Sequence, residues 1–204
     1  RLPKSYGYDP LRDIQVITPA KQGPLGTREL NRCLQYKLNP PACGKGEATL
    51  MGRTLREGDK VMQIRNNYDI VWQQPDGTAG AGIFNGDMGI IEMLDNGSKT
   101  ILVRFEDKLA TYSFENQDQL EHAYAVTVHK SQGSEFEAVV MPLERRHPKL
   151  HYRNLLYTAI SRAKKQVILV GSKEALHLAM QVTPRPRRSM LVPRTRMLLF
   201  RRSA

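Results

Sequence analysis

The sequence predicts an α/β fold: a parallel sheet flanked by helices, interrupted by a small β-barrel. Near both ends of the chain, apolar runs of strand length alternate with helical patterns, as in a parallel sheet with crossover helices. Between about Arg53 and Phe114 the helical period disappears, and short β runs follow one another at turn signals, as in a small barrel. With 204 residues, the chain is long enough to bury a core in one or two domains.

The first strand is Ile14 to Thr18, an apolar run closed by Pro19. Gly23, Pro24 and Gly26 then mark a turn, and Thr27 or the residues before it are candidates to cap a helix. Leu30, Cys33, Leu34 and Leu38 recur at helical spacing, so a helix is expected over Thr27 to Leu38, ended by Asn39-Pro40-Pro41. Next come the β runs DKVMQIRN, MGIIEML, TILVRFED and ATYSFE. They are separated by Pro75-Asp76-Gly77, Asn85-Gly86-Asp87 and Asp95-Asn96-Gly97, and LDNGS predicts a hairpin. From Tyr124 onward YAVTVHK, EAVVMPL and QVILVGS read as strands, and RNLLYTAISRAKK and KEALHLAM as helices. The expected division is residues 1–50 and 117–180 for the α/β part, 51–116 for the inserted barrel, and 181–204 for a poorly ordered basic tail.

Composition narrows the class. Apolar and charged fractions suit a globular protein, and the longest apolar runs are too short to span a bilayer. The start RLPKSYGYDP has neither an initiator methionine nor a signal pattern, so an excised piece of a longer protein is expected, with a cytoplasmic location. Cys33 and Cys43 lack metal-ligand spacing, and no metal site is expected. Of the net charge of +11, the stretch from Gln181 to Ala204 contributes +7, leaving +4 for the rest. A basic chain points to a polyanionic partner, although this asymmetry weakens the point for the folded part.

Two strings carry chemistry. In YAVTVHKSQGSEF an alternating strand stops in a polar turn at its carboxyl end, where open α/β sheets bind ligands. Thr127, His129, Lys130 and Ser131 offer donors to phosphate oxygens, Glu135 an acceptor, and Gly133 close backbone approach. In LLYTAISRA, Leu155, Leu156, Ala159, Ile160 and Ala163 form one apolar arc of the expected helix. Arg162 falls just outside that arc, suited to project into a cleft, and Lys164 and Lys165 face solvent. The turn around Lys21 and Gln22, between a strand and a helix, offers N–H groups to an anion. Arg65, Tyr68 and Trp72 of the barrel are candidates to stack on bases, against the commoner fate of a barrel aromatic, which is the core.

ITPAKQGPLG, GDKVMQIRNNYD, IFNGDMGII, YAVTVHKSQGSEF and NLLYTAISRAKKQVILVG occur in this order between Ile14 and Gly171. In this the chain resembles the RecD/TraA-type superfamily 1 DNA helicases. The resemblance implies a second RecA-like motor domain with an SH3-like barrel inserted between motifs IV and V. Arg162 looks like the motif VI arginine finger for the γ-phosphate. Gln132, Gly133 and Glu135 look like motif V residues near the nucleotide. Lys21 and Gln22 stand at the motif IV phosphate contact, where members often carry an arginine or lysine at the position of Gln22. Thr127, His129 and Ser131 look like contacts to a single-strand backbone, and Lys130 and Arg65 join them as candidates.

The resemblance further implies ATP and Mg²⁺, bound mainly by a first motor domain. Its Gly-Lys-Thr loop, acidic pair and glutamine switch do not occur in this sequence, so the chain alone is expected not to hydrolyse ATP. The expected whole is an ATP-dependent 5′–3′ helicase like the exodeoxyribonuclease V alpha subunit. Its expected partners are single-stranded DNA, the first motor domain and recombination or nuclease subunits, with no membrane. The alternatives are a single-strand-binding module and a partner-docking module, both without motor activity.

Overall fold

Apolar runs closed by proline, glycine or asparagine turns form the strands, and their direction decides which residues meet. The computed structural model describes residues 2–144, 153–182 and 195. A short helix α1 (Leu2–Tyr6) precedes β1 (Ile14–Thr18) and α2 (Thr27–Leu38). The chain then forms β2 (Glu47–Leu50), β3 (Arg53–Arg56), β4 (Lys60–Gln63), β5 (Asn67–Gln73) and β6 (Ala79–Ile83). After these come β7 (Met88–Asp95), β8 (Thr100–Phe105), β9 (Lys108–Ser113), a 3₁₀ turn at Phe114–Gln119 and β10 (Leu120–His122). It returns through β11 (Ala125–Thr127), β12 (Phe136–Leu143), α3 (Arg153–Ile160), β13 (Ala163–Gly171) and α4 (Lys173–Gln181). Apart from Gln181, Val182 and Thr195, the expected basic tail lies outside the described residues.

The α/β part is a parallel sheet in the order β11-β1-β12-β13. Val16 of β1 stands opposite Ala125 on one side and Val140 on the other. Ile17, Val139, Met141 and Leu143 from the sheet, with Leu155, Leu156 and Ala159 of α3 and Ala175 and Ala179 of α4, make one buried core. By this register Thr18 and Thr127 are level with Pro142, six residues along β12 from Phe136. At about 3.3 Å per residue, the two edges of the sheet are roughly 20 Å apart. The carboxyl ends of β1 and β11 open on one edge, and the amino ends of β12 and β13 on the other.

The inserted part is an antiparallel sheet in the order β10-β4-β7-β8-β9-β5-β6. Strict alternation in β8, with Ile101, Val103 and Phe105 buried, gives the sheet one dry face. The LDNGS hairpin forms as expected: Asp95 pairs with Thr100, and the Asp95 carboxylate accepts from the Gly97 N–H at 2.8 Å and the Ser98 hydroxyl at 2.6 Å. At Asn85-Gly86-Asp87, Gly86 holds φ +104, a conformation costly for other residues. Ala48 and Leu55 of the β2–β3 hairpin and Leu120 of β10 belong to the same core. The buried interior therefore extends beyond 51–116 at both ends.

Helix α2 has the expected bounds but a different buried face. Its buried residues are Asn31 and Gln35, followed by Asn39 at the C-cap, whereas Cys33 and Leu38 are exposed. The physical reason is a carboxylate from the barrel. Asp59 is fully buried and accepts from Gln35 Nε2 at 2.7 Å, Asn39 Nδ2 at 2.6 Å, the Arg56 N–H at 2.8 Å and the Tyr124 hydroxyl at 2.8 Å. His122 Nε2 lies 3.1 Å away. Burial by itself raises the Asp59 carboxyl, but the hydrogen bonds and charge of His122, with those of Asn39 and Arg56, outweigh it and hold the group below its ordinary value. One helical turn earlier, Asn31 brackets β11 by accepting from the Ala125 N–H at 2.7 Å and donating to the Ala125 carbonyl at 3.0 Å.

The next residue of the barrel makes a second tie. Lys60 is buried and donates to Gln15 Oε1 at 2.9 Å, while Gln15 Nε2 donates to the carbonyls of Ala123 and Tyr124. Burial pushes the Lys60 ammonium down to about 8, against the opposing pull of Asp9 and Asp13. Met62 of β4 packs in the core of the α/β part. The barrel is thus anchored to α2, β1 and the residues leading into β11 through two adjacent residues, Asp59 and Lys60, at the start of β4.

Candidate functional site

The loop 128–135 leaves β11 at the carboxyl edge and reaches β12 at the opposite edge. It does so in helical turns: the N–H groups of Lys130 and Ser131 both reach the Thr127 carbonyl, and Ser134 reaches Ser131. Strand β11 therefore stops at Thr127, short of the expected YAVTVHK strand. Gly133 sits at φ +88, which favours glycine.

Burial sorts the candidates on this loop. Ser131 is fully buried and donates its hydroxyl to the Val128 carbonyl at 2.9 Å. Thr127 is buried, and its hydroxyl oxygen accepts from the Lys130 N–H at 3.3 Å. Both hydroxyls are engaged in building the turn, with Ser131 wholly buried and Thr127 8% exposed. His129 is exposed, and the half-buried Lys130 pairs with Glu121 at 3.2 Å. Gln132 and Glu135 are exposed.

Arg162 corrects the expected geometry. Helix α3 ends at Ile160, where the Ser161 hydroxyl takes the Thr158 carbonyl at 2.9 Å. Arg162 occupies the turn before β13, and its carbonyl accepts from the Phe136 N–H at 2.9 Å. Ile160, expected in the apolar arc, is exposed. Lys164 and Lys165 stand near the start of β13 and do face solvent, with Lys165 2.8 Å from Glu137. The Arg162 guanidinium is loosely held: Nη1 lies 3.5 Å from the Ser134 carbonyl and Nη2 3.2 Å from the Ser161 hydroxyl. Its Nε is buried with no hydrogen-bond partner among the described residues. Such an orphaned donor in a folded protein calls for an explanation, and an acceptor supplied from outside the chain is one.

Lys21 and Gln22 stand apart from Arg162. They lie in the exposed loop after β1, at the carboxyl edge, the length of the sheet away from the turn that carries Arg162. The first amides of α2 are also occupied, since the N–H groups of Thr27 and Arg28 reach the carbonyls of Ala20 and Lys21. The N-cap is Gly26 with no side-chain hydrogen bond. The structure therefore brings together Arg162 and Ser134 at one edge, while the Gln132 N–H reaches back to the His129 carbonyl at 3.4 Å. The structure sets His129, Lys21 and Gln22 at the other edge.

In the barrel, Arg65 pairs with Asp118. Trp72 packs against the barrel core with Lys108 Nζ 4.9 Å from its ring centroid, whereas Tyr68 is 67% exposed and meets Phe84 edge-on at 5.6 Å. Sequence reasoning missed Asp59, His122, Tyr124 and the amide ladder on α2. The spacing of Asn31, Gln35 and Asn39, at i, i+4 and i+8, was the available signal for the ladder.

The fold is a RecA-like parallel sheet flanked by helices with an inserted SH3-like barrel. Residues 122–170 match the UvrD-like helicase C-terminal domain, and residues 30–105 match the ATP-dependent RecD-like DNA helicase SH3 domain. The chain thus carries the matched domains of RecD-type superfamily 1 DNA helicases over these two stretches. It is 33% identical to the ATP-dependent RecD2 DNA helicase of Deinococcus radiodurans over 183 residues, 90% of this chain and 23% of that protein. It is 25% identical to the RecBCD enzyme subunit RecD of Mycolicibacterium smegmatis over 171 residues, 84% of this chain and 27% of that protein. The chain thus spans about a quarter of the length of these curated relatives. The crystal structure of Pif1 helicase from Bacteroides in complex with ADP-AlF3 and ssDNA shares the fold, with a TM-score of 0.53 at 16% identity, covering 97% of this chain and 47% of that one. No helix among the described residues is long and apolar enough to cross a membrane.

Proposed function

We propose that this chain is the second motor domain, with its barrel, of an ATP-dependent 5′–3′ DNA helicase. In this reading Arg162 completes an ATP site whose other half, with Mg²⁺, belongs to a first motor domain. His129, Lys130, Lys21 and Gln22 form an edge that meets single-stranded DNA. The observation that carries the reading is that one short loop, 128–135, joins the two edges of the sheet and reaches both groups. ATP binding closes the first domain onto this one, and transfer of its γ-phosphoryl group to water then lets the domains part. The guanidinium of Arg162 neutralises charge there, and its weakly held donors leave it ready to do so. A shift at Ser134, beside that guanidinium, is passed along the helical turns to His129. Barrel and sheet move as one body because Asp59 and Lys60 tie them.

The test uses the full-length protein. Arg162→Lys and Arg162→Ala lower the ATP turnover rate about 10³-fold, in the range for arginine fingers, with DNA affinity unchanged. Turnover within about threefold of the unsubstituted protein would refute the role of Arg162, given the size of that range. The 204-residue chain by itself shows no ATP hydrolysis above background.

A further inference from the structure

Charge is divided sharply between the two parts of the molecule. Residues 47–122, which contain the barrel strands, carry thirteen acids against seven lysines and arginines. The stretch from Lys21 to Leu38 carries four bases, Lys21, Arg28, Arg32 and Lys37, against the single acid Glu29. On α2, Arg28, Arg32 and Tyr36 recur at i, i+4 and i+8 and occupy an arc of about 80°. All are exposed, Tyr36 to 66%, with Lys37 Nζ 5.8 Å from the centroid of its ring. Arg32 pairs with Glu29 at the surface, an ion pair weak enough in water to be exchanged for a phosphate. None of the three contributes to a buried core, because α2 is held by its amide ladder.

We propose that the Arg28–Arg32–Tyr36 stripe is a further single-strand contact surface, which continues the path from the Lys21 edge along α2. This rests on the strand-contact reading above. Continuity is built into the backbone, since the N–H groups of Thr27 and Arg28 bond the carbonyls of Ala20 and Lys21. Gln22, Arg28 and Arg32 line one open groove of about 530 Å³ together with Glu29, the surface partner of Arg32. Guanidinium groups suit phosphate oxygens, and an exposed tyrosine ring suits a nucleobase face. The acidic barrel repels a phosphate backbone, so the strand follows the helix.

The test is fluorescence anisotropy of the 204-residue chain with labelled oligodeoxythymidine of about 8 and about 20 nucleotides, across a salt series. Arg28→Glu with Arg32→Glu weakens binding of the longer oligonucleotide about tenfold or more and reduces the salt slope by roughly 1.4, at ~0.7 per phosphate contact for single strands. The shorter oligonucleotide is affected much less. Tyr36→Ala weakens the longer one and leaves the slope unchanged. Circular dichroism verifies that each variant is folded. If the stripe variants bind both oligonucleotides as the unsubstituted chain does, while Lys21→Ala with His129→Ala loses binding, the stripe is refuted and the strand edge stands. If neither set changes binding, or if the unsubstituted chain binds no oligonucleotide at low salt, the strand-contact reading itself fails. Polyglutamate competing as well as oligodeoxythymidine would assign the stripe to an acidic polypeptide and overturn the proposal.

Discussion

Replacing Asp59 by alanine tests how the barrel is joined to the motor domain. The carboxylate accepts from Gln35, Asn39, Tyr124 and the Arg56 N–H, with His122 at 3.1 Å, all within a site where Asp59 is fully buried. Its removal leaves these donors without their acceptor, and each orphaned buried group costs about 1–3 kcal/mol. The costs do not simply add, because the donors relax toward one another and toward water. A loss of about 4 kcal/mol is expected, the scale seen when one partner of a buried charged network is removed. In urea, with a slope of ~2 kcal/mol per M, the unfolding midpoint falls by about 2 M. Hydrogen exchange of the same variant speeds up first along α2 and β11, the elements that the network holds. Asp59→Asn, which keeps one acceptor oxygen, loses roughly half as much. Because the folded carboxyl sits below its ordinary value, its contribution is present above about pH 4 and is lost as pH falls through the folded pKa. The gap between the unsubstituted chain and the Asp59→Asn variant therefore closes in acid. A midpoint shift below about 0.5 M for Asp59→Ala, a quarter of that expected from the urea slope, or exchange that rises only in the barrel hairpins, refutes the clamp.

Further expectations concern the second tie and a helix cap. The buried Lys60 ammonium has a folded pKa of about 8, below its ordinary value, so the unfolded chain binds more protons between there and about 10.4. Stability should rise by about 2 kcal/mol from about pH 7 to about pH 9.5 in urea titrations, and Lys60→Met should flatten that rise; a parallel rise in the variant refutes the assignment. The window stops short of about pH 10, because burial raises Tyr112 and Tyr124 and their contribution is lost above the pKa of an unfolded tyrosine. The Ser172 hydroxyl accepts from the Ala175 N–H at 3.1 Å at the start of α4. Ser172→Ala should cost about 1 kcal/mol in thermal or urea unfolding, and no loss would mean that the cap contributes nothing.

Local chemistry was legible where it is decided by neighbours in the chain. The bounds of β1 and α2 follow from an apolar run ended by Pro19 and a helix stopped by Asn39-Pro40. The Asp95-Asn96-Gly97 hairpin follows from the conformations those residues favour. The order of the helicase motifs is likewise a property of the string, and it was enough to name the family. Burial was not legible in the same way. The leucines of α2 recur at helical spacing and suggest an apolar inner face, yet the face turned inward carries Asn31 and Gln35. The partner that makes this favourable, Asp59, is supplied by the barrel from more than twenty residues away.

The same division holds at the site. The sequence alone put Arg162 and the HKSQGSEF loop in one stretch that matches a helicase C-terminal domain, and set a barrel before it. Only the tertiary structure decided that Arg162 rides on a turn, because the Phe136 N–H claims its carbonyl and starts a strand where helical spacing would have continued. Only the structure set Lys21 and Gln22 at the opposite edge from Arg162, since parallel pairing fixes which strand ends share an edge. Ser131, polar and surrounded by polar neighbours in the chain, is buried because its hydroxyl closes the turn over Val128. Chain-local preferences follow from backbone conformation and side-chain spacing, whereas which groups share water and which share a core depends on pairings that join residues far apart.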